Sequence, residues 1–157
     1  MTQWQGEVVS LHTGAEPGQP LRAAPELRVL AGRGIEGDRY CAGADRPPQK
    51  HGPDREITLV EIEALEALRR EYDVNLAAVE TRRNVATRGV PLNHLVGRAF
   101  RVGGALLRGV RLCEPCGHLE KLTGQPKLRE GLKHRGGLRA EVLDGGVIRV
   151  GDAAAPG

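Results

Sequence analysis

The second half of the chain is a series of short strand-like segments, and this pattern restricts the fold more than any other feature of the sequence. Apolar residues recur over a few positions at a time in the segments 84–87, 99–102, 105–112, 138–143 and 147–150. Gly103-Gly104 lies between two apolar runs, which is typical of a tight hairpin. Two further strand-like segments, 7–12 and 26–31, precede this region. The chain is therefore predicted to consist mainly of short strands joined by turns.

One helix is expected among these strands, over residues 59–72. Its apolar residues recur at helical spacing: Ile62, Leu65, Leu68 and Tyr72. Thr58 followed three residues later by Glu61 has the pattern of a capping box and predicts the start of this helix. Many short strands with one or two helices favour a closed or half-closed β-barrel, because closure leaves no strand edge exposed. The expected fold class is mainly β with a few helices, or α+β by content.

Length and composition indicate one globular domain. The 157 residues are 39% hydrophobic and 27% charged, which is typical of a domain with its own buried core. We expect a single domain over residues 5–152 and a flexible tail over 153–157. Three cysteines do not form a disulfide framework, and the polar N-terminus and the lack of a long apolar stretch indicate no signal peptide and no membrane partner. The expected location is the cytoplasm.

The charge and the aromatic content argue against nucleic acid as a partner. The net charge is only +3, with a pI of about 9.0. Proteins that bind single-stranded nucleic acid use several aromatic side chains as stacking surfaces, and this chain has only four aromatic residues: Trp4, Tyr40, Tyr72 and Phe100. A mild positive charge fits a small phosphorylated ligand better.

The strongest candidate for chemistry is the segment Cys113-Glu114-Pro115-Cys116, which is followed by His118. It lies between a predicted strand and a helix-like run, where helix-terminal N–H groups favour a thiolate. The pair is compatible with half of a zinc site, for which His118, His134 or Cys41 would supply further ligands. It is also compatible with a redox dithiol, with a single functional thiol at Cys116, and with two buried thiols that have no role.

Two basic clusters are candidates for binding an anion. The first is Arg82-Arg83-Asn84, where two guanidiniums and an amide suit a phosphate or a planar heterocycle. The second contains Lys133 and Arg135 and ends in Gly136-Gly137, whose backbone N–H groups could approach an anion closely. Each cluster is also compatible with a solvated charged segment: the end of a strand for the first, and a basic loop that closes into a hairpin for the second.

Several short motifs follow one another along nearly the whole chain, and their order resembles that of the MOSC domain, which is named after the C-terminal part of molybdenum cofactor sulfurases. The motifs, in order, are Gly34-Ile35-Glu36-Gly37-Asp38, Ile57-Thr58-Leu59, Arg83-Asn84, Gly89, Leu92, Val96-Gly97, Pro115-Cys116, Gly136-Gly137, Ala140-x-Val142-Leu143 and Gly146-x-Ile148-x-x-Gly151-Asp152. Each motif is weak by itself, but the order makes the set fairly specific.

The resemblance implies a barrel like the pyruvate kinase β-barrel domain and a role with molybdenum cofactor. It makes Cys116 the functional thiol and the molybdenum ligand, and it places Arg82 and Asn84 beside the pterin. Arg83, Lys133 and Arg135 would then meet the phosphate of the cofactor. The implied activity is sulfur carriage or the reduction of small N-hydroxylated compounds, with an external sulfurase or electron donor as partner.

The alternative to this activity is a non-enzymatic or thiol-redox domain. In that case Cys113, Cys116 and His118 would form part of a zinc site, or the two cysteines would form a dithiol pair.

Overall fold

Seven strands close into a barrel in the computed structural model, which describes residues 3–16, 18–39, 41, 53–114, 120, 121 and 123–157. The strands follow one another around the barrel in the order β11-β7-β8-β9-β5-β6-β1, and β11 pairs with β1 to complete the circle. The short strand β2 extends the sheet beside β1. The bounds of these eight strands are β1 Gly6–Thr13, β2 Arg22–Ala24, β5 Ile57–Glu61, β6 Val85–Arg88, β7 Ala99–Val102, β8 Ala105–Leu112, β9 Leu138–Asp144 and β11 Ala153–Pro156.

The last strand corrects the prediction of a flexible tail at residues 153–157. Residues Ala153–Pro156 form β11, which pairs with both β7 and β1. Ala154 is fully buried in the barrel interior. The tail prediction was wrong because the sequence of small residues carries little apolar signal, although alanine fits the narrow space where the barrel closes.

A second small sheet lies against the barrel and consists of β3 (Glu26–Leu30), β4 (Gly34–Ile35) and β10 (Gly146–Arg149), in the order β10-β3-β4. Leu27, Val29 and Ile148 point from this sheet into the same core as the barrel strands. The predicted hairpin at Gly103-Gly104 is confirmed, because β7 and β8 pair from Val102 and Ala105 onward.

β5 and β6 form the one parallel pair among the named strands. The chain between them passes through helix α1 (Ile62–Tyr72). Parallel neighbours require a crossover of this kind, because a tight turn reverses the chain direction. Ala64, Leu65 and Leu68 bury one face of α1 in a second apolar cluster, which includes Leu128 of the short helix α2 (Leu128–Gly131). This packing fixes the direction in which the chain re-enters the barrel.

The predicted start of the helix was wrong. Residues 57–61 form strand β5, in which Ile57 and Leu59 are fully buried and pair with β9. The N-cap of α1 is Glu61, which makes no capping hydrogen bond with its side chain. Thr58 donates its hydroxyl to Asn84 instead of capping the helix. Tertiary pairing therefore overrode the local capping pattern. No helix within the described ranges is long and apolar enough to cross a membrane.

Candidate functional site

One region of the barrel wall collects the residues that the sequence singles out. The register of the strands forms this region. Leu59 of β5 pairs with both Leu138, where β9 begins, and Val85, where β6 begins. Leu138 also pairs with Leu112 at the end of β8, and Val85 pairs with Leu11 near the end of β1. We call this region, formed by residues 12–13, 53–58, 81–85, 111–113 and 136–139, the site rim.

Cys113 lies on the site rim directly after β8. It is buried, and its backbone N–H donates to the Gly137 carbonyl oxygen at 2.7 Å. Its thiol takes part in no disulfide. Cys116 and His118 lie outside the described residues, so their predicted roles stay predictions. Cys113 nevertheless fixes where the chain enters the Cys-x-x-Cys segment.

Arg83 reaches the same place from β6. Its Nε donates to the Gly136 carbonyl oxygen at 2.9 Å, and its Nη1 donates to the Thr81 carbonyl oxygen at 3.3 Å. The Gly137 backbone has a φ of 115°, and a Cβ there would collide with the backbone of β5. Glycine at this position therefore lets the chain pass close enough to β5 to meet Arg83. The structure thus brings together the ends of three separate predicted clusters: Arg83, Gly136-Gly137 and Cys113.

His12 supports Arg83 from the neighbouring strand β1. Its Nδ1–H donates to the Arg83 carbonyl oxygen at 2.9 Å, and its Nε2 is 2.9 Å from the Ser10 hydroxyl, from which it accepts. Burial lowers the pKa of His12, although the bond to the Arg83 carbonyl acts in the opposite direction. His12 is therefore a neutral, buried imidazole that uses both ring nitrogens to hold the backbone of the site rim.

Asn84 is built into the framework of the same rim. Its Oδ1 accepts from both the backbone N–H and the hydroxyl of Thr58 at 3.0 Å, and its Nδ2 donates to the His12 carbonyl oxygen at 3.1 Å. The side chain is almost completely buried. Asn84 therefore ties together β1, β5 and β6, and only one of its two amide hydrogens is left for a ligand.

Arg82 points to a different part of the surface. The backbone of Arg82 is left-handed, with a φ of 62°, and its Nη1 donates to the Gln19 carbonyl oxygen at 2.9 Å. It lines a pocket together with Gly18, Pro20, Leu21, Val79, Glu80 and Thr123. Arg82 and Arg83 are adjacent in sequence, but their guanidiniums donate to different segments of the chain, at Gln19 and Gly136 respectively.

The second basic cluster also divides between two places. Lys133 lines an open pocket with Glu114, Glu120, Arg129 and Glu130. Arg135 donates from Nε to the Gly131 carbonyl oxygen at 2.8 Å and from Nη2 to Glu71 at 3.0 Å. Its hydrogen bond is the main cause that lowers the pKa of the Glu71 carboxyl. Arg135 therefore joins helices α1 and α2, whereas Lys133 borders the entry to the Cys-x-x-Cys segment through Glu114.

The sequence reasoning missed Arg139, the second residue of β9. Leu138 and Ala140 on either side are fully buried inside the barrel, so Arg139 lies on the outer face of the sheet. Its Nη1 donates to the Asp54 carbonyl oxygen at 3.4 Å. Its buried Nε has no hydrogen-bond partner among the residues that the structure describes.

The charges around Arg139 are mostly of its own sign. Burial lowers the pKa of Arg139; the nearby Cys113 opposes this change, and the neighbouring arginines lower the pKa further. These arginines are Arg111, Arg83 and Arg55. In the sequence, Arg139 is one of three charged residues in β9, with Glu141 and Asp144, so it resembles any ordinary outward-facing position.

The described residues include no group of three or more His, Cys, Asp and Glu side chains that could hold a metal ion. Cys41 is buried, and burial is the main cause that raises the pKa of its thiol. His134 has a left-handed backbone, and its carbonyl oxygen accepts from Asn93 at 2.6 Å. The zinc interpretation depends on Cys116 and His118 and stays a prediction.

Comparison with known families identifies a domain over most of the chain. The family model described as the MOSC domain matches residues 47–155, which is more than half of the sequence. Among curated proteins, none matches this chain.

Several solved structures have the same fold. YuaD from Bacillus subtilis superposes with a TM-score of 0.80 and 22% sequence identity, covering 97% of both chains. YiiM from Geobacillus stearothermophilus gives a TM-score of 0.67 at 20% identity and covers 97% of this chain and 75% of its own. YiiM from Escherichia coli gives 0.66 at 21% identity and covers 100% and 70%, respectively. At these identities, the likeness concerns the fold.

Proposed function

Because this chain belongs to the MOSC domain family, we propose that it binds molybdenum cofactor and that Cys116 is the protein ligand of the molybdenum. The observation that carries this proposal is the meeting of Arg83, Gly136-Gly137 and Cys113 on the site rim. Cys113 precedes Cys116 by three residues, so a ligand bound at Cys116 would lie within reach of these groups.

The described residues fit an anionic cofactor of this kind. The site rim holds a surplus of guanidiniums, and the buried Nε of Arg139 has no partner among the described residues. A cysteine thiolate is a suitable ligand for a soft molybdenum site. Guanidiniums suit the cofactor's phosphate and the polar edge of its pterin. Arg83, with support from His12 and Gly136, would contribute such a charge in a fixed position.

Arg82 and Lys133 line two separate pockets and would meet only parts of the cofactor that reach into those pockets. Asn84 would act mainly by holding β1, β5 and β6 in register and would offer its remaining amide hydrogen. Arg135 would act through the position of α2, because its guanidinium is bonded to Glu71 and Gly131. These assignments separate residues that touch a ligand from residues that hold the rim.

When bound, the cofactor would supply either a metal centre for the reduction of small N-hydroxylated compounds or an acceptor for sulfur carried by the protein. Cys116 would serve as the metal ligand in the first case and would carry a persulfide in the second. An external electron donor or sulfurase is the expected partner. The cytoplasm is the expected location, since reducing conditions would keep the Cys116 thiol out of a disulfide.

Molybdenum and pterin analysis of the protein purified from a molybdopterin-competent host tests the proposal. We expect Cys116→Ser to lose most of the bound molybdenum, and Cys113→Ser, the matched control, to retain most of it. Arg82→Ala should weaken cofactor binding by about 1.5–3 kcal/mol, the scale of a charge-assisted hydrogen bond. Wild-type protein without molybdenum or pterin would refute the proposal.

A second candidate function is a structural zinc or dithiol site, and the buried free thiol of Cys113 favours it. The metal analysis of the purified protein would give a different result for this second candidate. Zinc in place of molybdenum, lost equally in Cys113→Ser and Cys116→Ser, would support a zinc site. A disulfide between the two cysteines that forms reversibly, without any metal, would support a dithiol pair.

A further inference from the structure

Arg139 and Arg111 form a pair on the outer face of the barrel. They are cross-strand partners in the β8–β9 pairing, and Arg139 is also the partner of Thr58 in the β5–β9 pairing. Cross-strand partners place their side chains on the same face of a sheet. Two guanidiniums therefore lie side by side near the site rim, where like charges repel.

One carboxylate compensates this positive charge only in part. Asp54 accepts from Arg111 at 2.9 Å. Burial acts to raise the pKa of Asp54, but the hydrogen bond from Arg111 and the nearby charges of Arg139 and Arg55 outweigh it and lower the pKa. Among the described residues, Arg139 donates only to the backbone carbonyl oxygen of Asp54, at the long distance of 3.4 Å, and makes no ion pair with a carboxylate.

Within the described part of the chain, Arg139 is a half-buried guanidinium whose Nε has no acceptor. Such a group is unfavourable by itself, because a buried charge needs both a counter-charge and hydrogen bonds. Three more arginines around it increase this cost. A bound oxyanion would reduce both costs, since it would accept a hydrogen bond from the guanidinium and would neutralise the repulsion among the arginines. The arrangement is thus that of an anion-binding site rather than of a solvated surface, where arginines keep apart and contact water.

We infer that Arg139, together with Arg111 and Arg83, forms a binding site for a tetrahedral oxyanion such as a phosphate group. The site goes beyond the proposed function, because described residues form it without Cys116 and it does not require molybdenum. The oxyanion has two sources: a free phosphate or acidic substrate, or the phosphate group of a bound cofactor. The chemistry recognised is the same in both cases.

The first arm of the test uses protein from a host that cannot make molybdopterin. Binding of inorganic phosphate and of sulfate is measured by calorimetry at low ionic strength. We expect millimolar binding that weakens with added potassium chloride, because partly exposed charges are screened. Arg139→Gln should weaken it by about tenfold, the equivalent of one charge-assisted hydrogen bond. The affinity of Arg139→Lys for phosphate should lie between those of the wild type and Arg139→Gln, since lysine keeps the positive charge but lacks the planar guanidinium.

Arg108→Gln is the matched control. Arg108 lies on the same face of β8 but forms an ion pair with Glu141. The Arg108→Gln variant should bind phosphate with the same affinity as the wild type. If Arg139→Gln does not fold, Arg139→Lys and Arg111→Gln replace it, and both should show weaker binding. No binding by the wild type, or equal binding by Arg139→Gln and wild type, would overturn the inference.

The second arm identifies the source of the oxyanion in protein from a molybdopterin-competent host. Loss of pterin from Arg139→Gln but not from Arg108→Gln would assign the site to the cofactor's phosphate. Unchanged pterin, with phosphate binding lost in the first arm, would assign it to a free anion or an acidic substrate. Failure of the proposed function gives a different result, namely no pterin in the wild type with phosphate binding intact.

Discussion

Glu61 provides a test of the fold at the junction of β5 and α1, outside the site rim. It is the last residue of β5 and the N-cap of α1, and its carboxyl is partly buried. Burial raises its pKa from the ordinary 4.5 to about 7, and the neighbouring Glu63 carboxylate adds to this effect. One oxygen of Glu63 is itself buried without a partner among the described residues. We expect Glu61→Gln to stabilise the protein at neutral and alkaline pH.

The sign follows from proton linkage. A carboxyl whose pKa is raised by folding binds its proton more tightly in the native state, so its contribution to stability is fully present below pH 4.5 and is lost as the pH rises through about 7. A rise of this size corresponds to at most about 3 kcal/mol, at roughly 1.4 kcal/mol per pKa unit. Glu61 is partly exposed, so solvent screening reduces the expected loss to about 1–2 kcal/mol. Glutamine keeps the shape of the side chain and cannot ionise.

The measurement is the free energy of unfolding from urea titrations at about pH 5 and about pH 8. The wild type should lose about 1–2 kcal/mol more than Glu61→Gln between these two conditions. Glu26→Gln, at an exposed position of β3, is the control and should keep the wild-type dependence on pH. Parallel pH profiles for Glu61→Gln and the wild type would refute the raised pKa of the Glu61 carboxyl.

Two further predictions concern the site rim. Asn84→Ala should lower the free energy of unfolding by about 2–4 kcal/mol, because it leaves the Thr58 backbone N–H without its acceptor. Asn93→Ala, at an exposed position, should lower the free energy of unfolding much less. Equal losses for the two variants in urea titrations would contradict the role given to Asn84. Gly137→Ala should cost at least about 2 kcal/mol, because its Cβ would meet the β5 backbone at a positive φ. Gly97→Ala also has a positive φ but faces open space, so a similar cost for both would exclude the contact as the cause.

Strand content was predictable from the sequence wherever the strands carry an apolar pattern. Residues 99–102 and 105–112 form β7 and β8 with the predicted bounds. The errors fell where tertiary pairing decided the structure. Residues 57–61 could continue the apolar period of α1 or pair with β9, and burial of Ile57 and Leu59 in the barrel favoured the strand. β11 is stabilised by closing the barrel, an interaction that no local pattern contains.

The site was predictable only as a set of separate clusters. Arg82 and Arg83 look equivalent in sequence, but the left-handed backbone at Arg82 directs the two side chains to different partners. Asn84 looked like a ligand-binding amide and proved to be bonded to three backbone and side-chain groups of the barrel framework. Arg139 gave no signal, because its importance depends on cross-strand neighbours. Register and backbone handedness therefore limit what the sequence alone can assign.

The parallel pairing of β5 and β6 is what assembles the candidate site. Cys113 follows β8, and Gly136-Gly137 precedes β9, so an ordinary antiparallel pair already brings these two segments together. Arg83 precedes β6, and it would lie beyond the end of β5, away from Leu138, if β6 followed β5 through a tight antiparallel turn. Helix α1 carries the chain back across the barrel before β6 begins. A helix that contributes no residue to the rim thus determines that Arg83 lies beside Gly136 and the start of the Cys-x-x-Cys segment.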